Sequence, residues 1–376
     1  MTDAFDTLMT LPSYSTPVDE KHKYLLLAVM EALSSHYERC QLYRNWCNKK
    51  HFDPKQPIAK LADIPFLPVN IFKRLSLQSI DDTNILKVLK SSGTSSQVPS
   101  QVPLDRITRD RQMRVLVNSL KYIIGEQRRP FIVFDVKPSQ NQSTSAELSA
   151  RVAGLRGYLM AASRTYYVLK SNNGIPELDI DALTSAINEI KANNENLCFL
   201  GYTFVLYQYV IRVLAAKGIS FNLPESTLLL HFGGWKKLEA HKISKPLLNS
   251  TIADVFGLAS SRVCDIYGFT EQLGVIYPDD PEGIKRTPVY AEVLVRDPIT
   301  LRLLPDGETG LLEFISPVPY SYPGVTVLTD DMGKIVSRKP AINGWTGTGF
   351  EIIGRAKNAE IRGCGDTLPD RVYGVV

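Results

Sequence analysis

The chain has 376 residues, 44% hydrophobic and 22% charged, with 24 Gly and 23 Pro, a composition that excludes wholesale disorder, collagen and coiled coil. Its 43 basic and 39 acidic residues leave a net charge of +4 with no block of like charge, which excludes the electrostatic footprint of a nucleic-acid binder. The five cysteines, Cys40, Cys47, Cys198, Cys264 and Cys364, have no CxxC spacing, so neither a disulfide framework nor a zinc site is indicated.

Met1-Thr-Asp-Ala-Phe-Asp lacks a basic region followed by an apolar one, and no apolar run approaches the roughly 18 residues of a membrane span. A cytoplasmic protein with reduced thiols is expected. From residue 19 to about 49, Tyr24, Leu27, Met30, Leu33, Tyr37 and Leu42 recur at helical spacing, which predicts one long amphipathic helix or two. The stretch Ile64-Pro-Phe-Leu-Pro-Val-Asn-Ile-Phe-Lys73 cannot be a continuous helix and reads as an ordered crossing segment.

The middle of the chain alternates. Helices are predicted near 105–125, 146–162, 179–193, 204–217 and 240–258, and strands at 131–136, 165–169, 197–200, 227–232 and 263–266. Repeated βα units of this kind imply an α/β fold with a largely parallel, helix-covered sheet. Beyond Pro278, strand-like runs at 290–295, 311–315, 325–328 and 350–353 are separated by turns such as Pro305-Asp-Gly307, which predicts a smaller β-rich region.

Three motifs carry chemistry. Ser91-Ser-Gly-Thr-Ser-Ser-Gln-Val-Pro-Ser100 offers backbone N–H groups and hydroxyls to a phosphate, without a Walker lysine. Tyr267-Gly-Phe-Thr-Glu271 follows a predicted strand, at the carboxyl end where open α/β sheets place ligands. Gly354-Arg-Ala-Lys-Asn-Ala-Glu-Ile-Arg-Gly363 brings Arg355, a fork of donors for phosphate or ribose oxygens, and Asp330 or Asp331 could accept from ribose hydroxyls. Taken singly, the first two motifs are more often solvated turns, and Arg355 with Asp330 or Asp331 could equally be a surface ion pair.

Their order is more informative. A Ser/Thr/Gly loop, Phe232-Gly-Gly-Trp235, Tyr-Gly-Phe-Thr-Glu271, Thr329-Asp-Asp331 and Gly-Arg-x-Lys-Asn358 together resemble the motif series of the adenylate-forming enzymes, the acyl-CoA synthetase and nonribosomal adenylation-domain superfamily. Length, the 64–73 segment, the wording His231-Phe-Gly-Gly-Trp235 and the ending Ile361-Arg-Gly-Cys-Gly365 resemble the LuxE-type acyl-protein synthetases of bacterial bioluminescence over nearly the whole chain.

This resemblance implies a large adenylate-forming N-terminal domain over 1–353, with helix-covered sheets and a β-rich subdomain. Residues 354–376 would form a hinge motif and a short remnant of the usual C-terminal domain, without its catalytic lysine. It implies that Ser92, Gly93, Thr94 and Ser95 wrap the ATP triphosphate and that Gly233, Gly234 and Trp235 pass the adenine. Tyr267 would stack on the base beside Gly268, Thr270 would contact the α-phosphate and Glu271 would ligate Mg²⁺. Asp330 would bind ribose, Arg355 ribose or phosphate, and Asn358 would be the hinge. The loop lacks the superfamily's second Gly and its Lys, so phosphate charge must be met by Mg²⁺, backbone dipoles or another base.

Cys364 lies between two glycines beside Arg362, a setting that favours mobility and a lowered thiol pKa; the resemblance implies that it carries the acyl group. Cys198 and Cys264 sit in apolar strand runs and are expected in the core, Cys40 and Cys47 on the N-terminal helix. His231 is expected as a pocket-lining or structural group, and Tyr202, Phe204, Leu206 and Tyr207 as walls of an acyl tunnel or as core.

The implied activity is ATP-dependent activation of a carboxylic acid, a fatty acid foremost, with thioester transfer to Cys364 for a partner such as a fatty acid reductase. Alternatives are an acyl-CoA or other acyl ligase of surface-polysaccharide or secondary metabolism, and a non-catalytic nucleotide- or acyl-binding subunit.

Overall fold

The computed structural model describes residues 3–90, 100–138, 150–235 and 242–356. Two compact units share the chain: one takes Met1–Val115, Phe269–Val275 and Arg286–Val376, the other Leu116–Gly268 and Ile276–Lys285.

The second unit contains the predicted βα alternation. Its seven strands run, across the sheet, Tyr277–Pro278, Val263–Tyr267, Leu228–Phe232, Cys198–Tyr202, Arg129–Val136, Ala162–Asn172 and Ile175–Leu178. The five inner strands are parallel and the two edge strands antiparallel. Cys198–Tyr202 and Leu228–Phe232 are buried along their whole length, as strands covered on both faces must be.

Helix boundaries follow local chemistry. Asp179 caps Ile180–Ala192 by accepting from the Ala182 N–H at 3.1 Å. The helix expected at 240–258 spans Lys245–Phe256: Ser244 caps it, Pro246 is confined to its first turn and Gly257 ends it at φ 65°. The helix expected at 204–217 is a continuous helical run from Thr203 to Ala216 whose Leu206–Ile211 segment is wound as a π-helix. The strand expected at 165–169 is longer and turns back at Asn173 and Gly174, both at positive φ, the signature of a two-residue hairpin turn.

The N-terminal helical region of the first unit is two helices, Val18–Arg39 and Gln41–Lys49, parted by the extended Cys40. The buried face of the longer helix is Leu25, Ala28, Val29, Ala32, Leu33 and His36, a stripe rotated from the one the sequence suggested, and Leu27 is exposed. In the main sheet of this unit Gly349–Arg355, Thr326–Ser337, Gly310–Ile315 and Glu292–Arg296 are successive antiparallel neighbours.

Thr326–Ser337 is longer than its partner Gly349–Arg355, which begins pairing only at Asp331. The edge left open ahead of it is filled by Leu67–Pro68, which pairs in parallel with Val327 and Leu328 and continues through the Val69 N–H donating to the Leu328 carbonyl at 2.8 Å. The crossing segment is thus a short strand followed by the helical turn Ile71–Arg74. Among the described residues no helix is long and apolar enough to cross a membrane.

His36 is enclosed in this unit, its Nδ1 2.8 Å from the Ser79 hydroxyl and its Nε2 3.1 Å from the Pro319 carbonyl. Nε2 therefore carries the proton and donates to the carbonyl, and Nδ1 accepts from Ser79. Burial, reinforced by Arg39 and Arg111 and opposed only by the Pro319 carbonyl, pushes its pKa down to about 3. The unfolded chain takes up this proton near its ordinary pKa of about 6.5, so the unfolded state binds more protons below that pH and stability falls on acidification. Between pH 7 and 4 the wild type is expected to lose roughly 3 kcal/mol that a His36→Gln variant does not lose, read as the difference between their urea unfolding free energies at the two pH values.

Candidate active site

The Tyr267-Gly-Phe-Thr-Glu271 motif is divided at Gly268: strand Val263–Tyr267 belongs to the second unit and Phe269–Val275 to the first. In the first unit, Thr270–Gln272 forms a single 3₁₀ turn. Gln272 fastens it. Its fully buried side-chain amide shares its hydrogens among the carbonyls of Phe314, Gly324 and Val325 at 3.2, 2.9 and 3.1 Å. The Tyr322 hydroxyl donates to the Glu271 carbonyl at 2.9 Å. Gly324 must lack a side chain, because a Cβ would lie 2.5 Å from the Tyr322 ring and 2.9 Å from the Glu271 carbonyl.

These contacts hold Glu271 only 4% exposed. Burial raises its pKa, while a hydrogen bond from the Ser100 side chain and the charges of Lys73 and Arg355 pull it back. Asp330, half-buried on strand Thr326–Ser337, is shifted the same way by burial and is likewise opposed by Arg355 and Lys73. Arg355 ends strand Gly349–Arg355 directly opposite Asp331, to which its Nε donates at 3.2 Å. Glu271, Asp330, Arg355, Lys73 and Ser100 thus form one electrostatic neighbourhood inside the first unit.

The second unit holds the other predicted residues. Gly233, exposed at φ 80°, follows strand Leu228–Phe232, and a Cβ there would meet the Tyr202 ring at 3.1 Å. Gly234 is exposed too, whereas Trp235 is buried with its ring edge-on to Tyr207 at 5.1 Å. Tyr267 is half-buried, 6.0 Å from Tyr277, and Gly268 is exposed. Ser92, Gly93, Thr94, Ser95, Asn358 and Cys364 lie outside the described residues.

His231 is neutral: burial pushes its pKa down to about 4 despite Asp265, and its Nδ1 is 2.9 Å from the Thr203 hydroxyl. Beside it is an ion network that no local motif announced. Lys285 meets Asp265 at 3.0 Å and Asp279 at 3.3 Å, and Lys245 meets Asp279 at 2.6 Å. Although burial alone would raise it, Lys285 foremost and Lys245 as well hold the Asp265 carboxyl at about 2. The thiols differ from this pattern. Cys40, Cys47, Cys198 and Cys264 are all buried, and burial pushes Cys47 up to about 11 and Cys198 to about 12.

Three of the sequence candidates, Glu271, Asp330 and Arg355, lie in one neighbourhood with Ser100, the last residue of the Ser/Thr/Gly motif, and with Lys73 and Gln272, which the sequence did not single out. The pairing of Pro68 with Leu328, two residues before Asp330, brings Lys73 near, and only the fold contains that register. As for a divalent ion, no group of three metal-binding side chains exists among the described residues. A buried carboxylate with a hydroxyl hydrogen-bonded to it fits Mg²⁺, which takes one or two carboxylates and completes its shell with phosphate oxygens and water.

The family model described as "Acyl-protein synthetase, LuxE" matches residues 5–372. The chain belongs to the LuxE acyl-protein synthetase family. It is therefore a ligase of the acyl-protein synthetase type. The long-chain-fatty-acid–luciferin-component ligase of Vibrio harveyi is 25% identical over 337 residues, covering 89% of this chain and 85% of that protein. That of Aliivibrio fischeri is 24% identical over 338 residues, with the same coverage of 89% and 85%. Among solved structures, an open conformation of 2-hydroxyisobutyryl-CoA ligase in complex with 2-HIB-AMP and CoA superposes with a TM-score of 0.65 at 16% identity. It covers 92% of this chain and 72% of that one, and the likeness establishes the adenylate-forming fold.

The clamp on the Glu271 turn can be tested by itself. Gln272→Leu removes the amide and strands its buried carbonyl partners, so unfolding free energy should fall by about 1–3 kcal/mol; an unchanged denaturation midpoint would mean that the turn is held by its other contacts.

Proposed function

We propose that this chain activates a carboxylic acid, foremost a long-chain fatty acid, as its acyl-adenylate and then carries the acyl group as a thioester on Cys364. The observation that carries this reading is that buried Glu271 and half-buried Asp330 both feel the charge of Arg355, at the exposed rim of one site of a LuxE-family chain. The names of the Vibrio harveyi and Aliivibrio fischeri relatives supply the fatty acid. A reductase that accepts the acyl group from Cys364 is the proposed partner.

A carboxylate is a poor acyl donor because its oxygen is a poor leaving group. In the proposed first step a carboxylate oxygen of the acid forms a bond to the α-phosphorus of ATP, and pyrophosphate departs with the electrons of the broken P–O bond. Glu271, whose ionised form Lys73 and Arg355 favour against burial, would hold Mg²⁺, which would supply charge neutralisation at the phosphates. Thr270 at the start of the same turn would face the α-phosphate, and Asp330 would accept hydrogen bonds from the ribose hydroxyls. Arg355 would donate to ribose or phosphate oxygens, and Tyr267, Gly233 and Gly234 would border the adenine.

In the second step the Cys364 sulfur, having lost its proton to solvent, bonds to the acyl carbonyl carbon and AMP leaves. Supporting this assignment, the four described thiols are buried, and burial raises the pKa of each. That makes them poor nucleophiles at neutral pH.

Acid-dependent exchange of pyrophosphate into ATP tests the first step, with acids from acetate to palmitate. Each charge-assisted contact is worth about 1.5–3 kcal/mol, so Glu271→Gln and Arg355→Ala should each slow exchange roughly 10–100-fold with little change in folding. If no acid drives exchange, the adenylation reading is wrong. Cys364→Ser should keep exchange yet lose the hydroxylamine-labile label from radioactive fatty acid, and a label retained on that variant refutes the thioester assignment.

A further inference from the structure

The Ser/Thr/Gly loop has a deficit: Ser91–Ser100 contains no basic residue to meet a triphosphate. The fold supplies one from elsewhere. Lys73 sits on the helical turn Ile71–Arg74, whose position is fixed from three sides. The residues before it, Leu67–Val69, are hydrogen-bonded along the strand that carries Asp330, entering at Val327 and Leu328. Its neighbour Phe72 packs edge-on against Tyr322 at 6.2 Å, and Tyr322 holds the Glu271 carbonyl. The turn also lies against strand Gln101–Leu104, which follows Ser100, the residue hydrogen-bonded to the Glu271 carboxylate.

Lys73 is half-buried. Its charge acts on both Glu271 and Asp330, yet it is hydrogen-bonded to neither. Arg355, the other cation there, is committed through its Nε to Asp331. An ammonium is a compact charge with three donors on a flexible stem, suited to a multiply charged phosphate chain more than to a base or a sugar.

We propose that Lys73 is the residue that binds the β- and γ-phosphates of the nucleotide, standing in for the lysine that the Ser/Thr/Gly loop lacks. This inference rests on the adenylating reading above. Lys73 is then a direct ligand-binding residue whose contribution belongs to ATP and pyrophosphate and not to AMP. Its effect is electrostatic, so it should weaken with ionic strength.

Calorimetric titration of the full chain with Mg-ATP, Mg-pyrophosphate and AMP tests it without reliance on turnover. Lys73→Ala should weaken ATP and pyrophosphate by roughly tenfold or more while leaving AMP affinity and the unfolding midpoint as in wild type. Lys73→Arg, which keeps the charge, should restore most of the affinity. Equal binding of pyrophosphate by wild type and Lys73→Ala overturns the inference, as does an equal loss of AMP and ATP affinity, the mark of a structural role. If Lys73→Ala unfolds, Lys73→Arg and Lys73→Met decide between charge and packing, and Met binding pyrophosphate as well as Arg does overturns it. Wild type that binds none of the three ligands refutes the adenylating reading itself.

Discussion

A carboxylate can be buried as Glu271 is only if its backbone is immobilised and cations lie close enough to offset desolvation. Both conditions trace to the turn Thr270–Gln272. Gln272 locks it to three carbonyls of the main sheet and the Tyr322–Val325 segment, and Tyr322 grips the Glu271 carbonyl. Around that fixed point the strand bearing Asp330, the strand ending in Arg355 and the turn bearing Lys73 take their places. Were the turn free, Glu271 would swing to solvent and the two cations would lose the negative partner that gives the neighbourhood its balance.

The second unit solves a similar problem differently. Lys285 is almost wholly enclosed, and two aspartates, Asp265 and Asp279, share it with Lys245. His231 next to them stays neutral because burial outweighs its nearest carboxylate. Charge is admitted to this interior only in matched sets, which is why a histidine with no dedicated counter-ion gives up its proton.

Much of the fold was legible because it repeats: apolar strand runs alternating with amphipathic helices leave a period that survives without tertiary information. Where the reading slipped, a local rule was overlooked. Asn173-Gly174 signals a hairpin, and Pro246 forbids a helix from passing through it. The rotated face of Val18–Arg39 is another matter, since the consecutive Leu25, Leu26 and Leu27 point to different sides of the helix and packing alone chooses among them. In the site, Glu271, Asp330 and Arg355 were visible as motif members. Lys73 and Gln272 were not, because an isolated lysine or glutamine has no distinguishing neighbours in the sequence, and what recruits them is strand register and side-chain burial.

Leu67–Pro68 has a further consequence. By lying along Val327 and Leu328 it closes the stretch of edge that Gly349–Arg355 leaves uncovered, and Pro68 has no N–H with which to recruit another strand outward. An uncovered edge of this kind, apolar and fully formed, is a template for intermolecular β-augmentation. The same two residues that bring Lys73 near Asp330 therefore also guard the sheet against self-association, so that detachment of this short segment would convert a folded scaffold into a seed for aggregation.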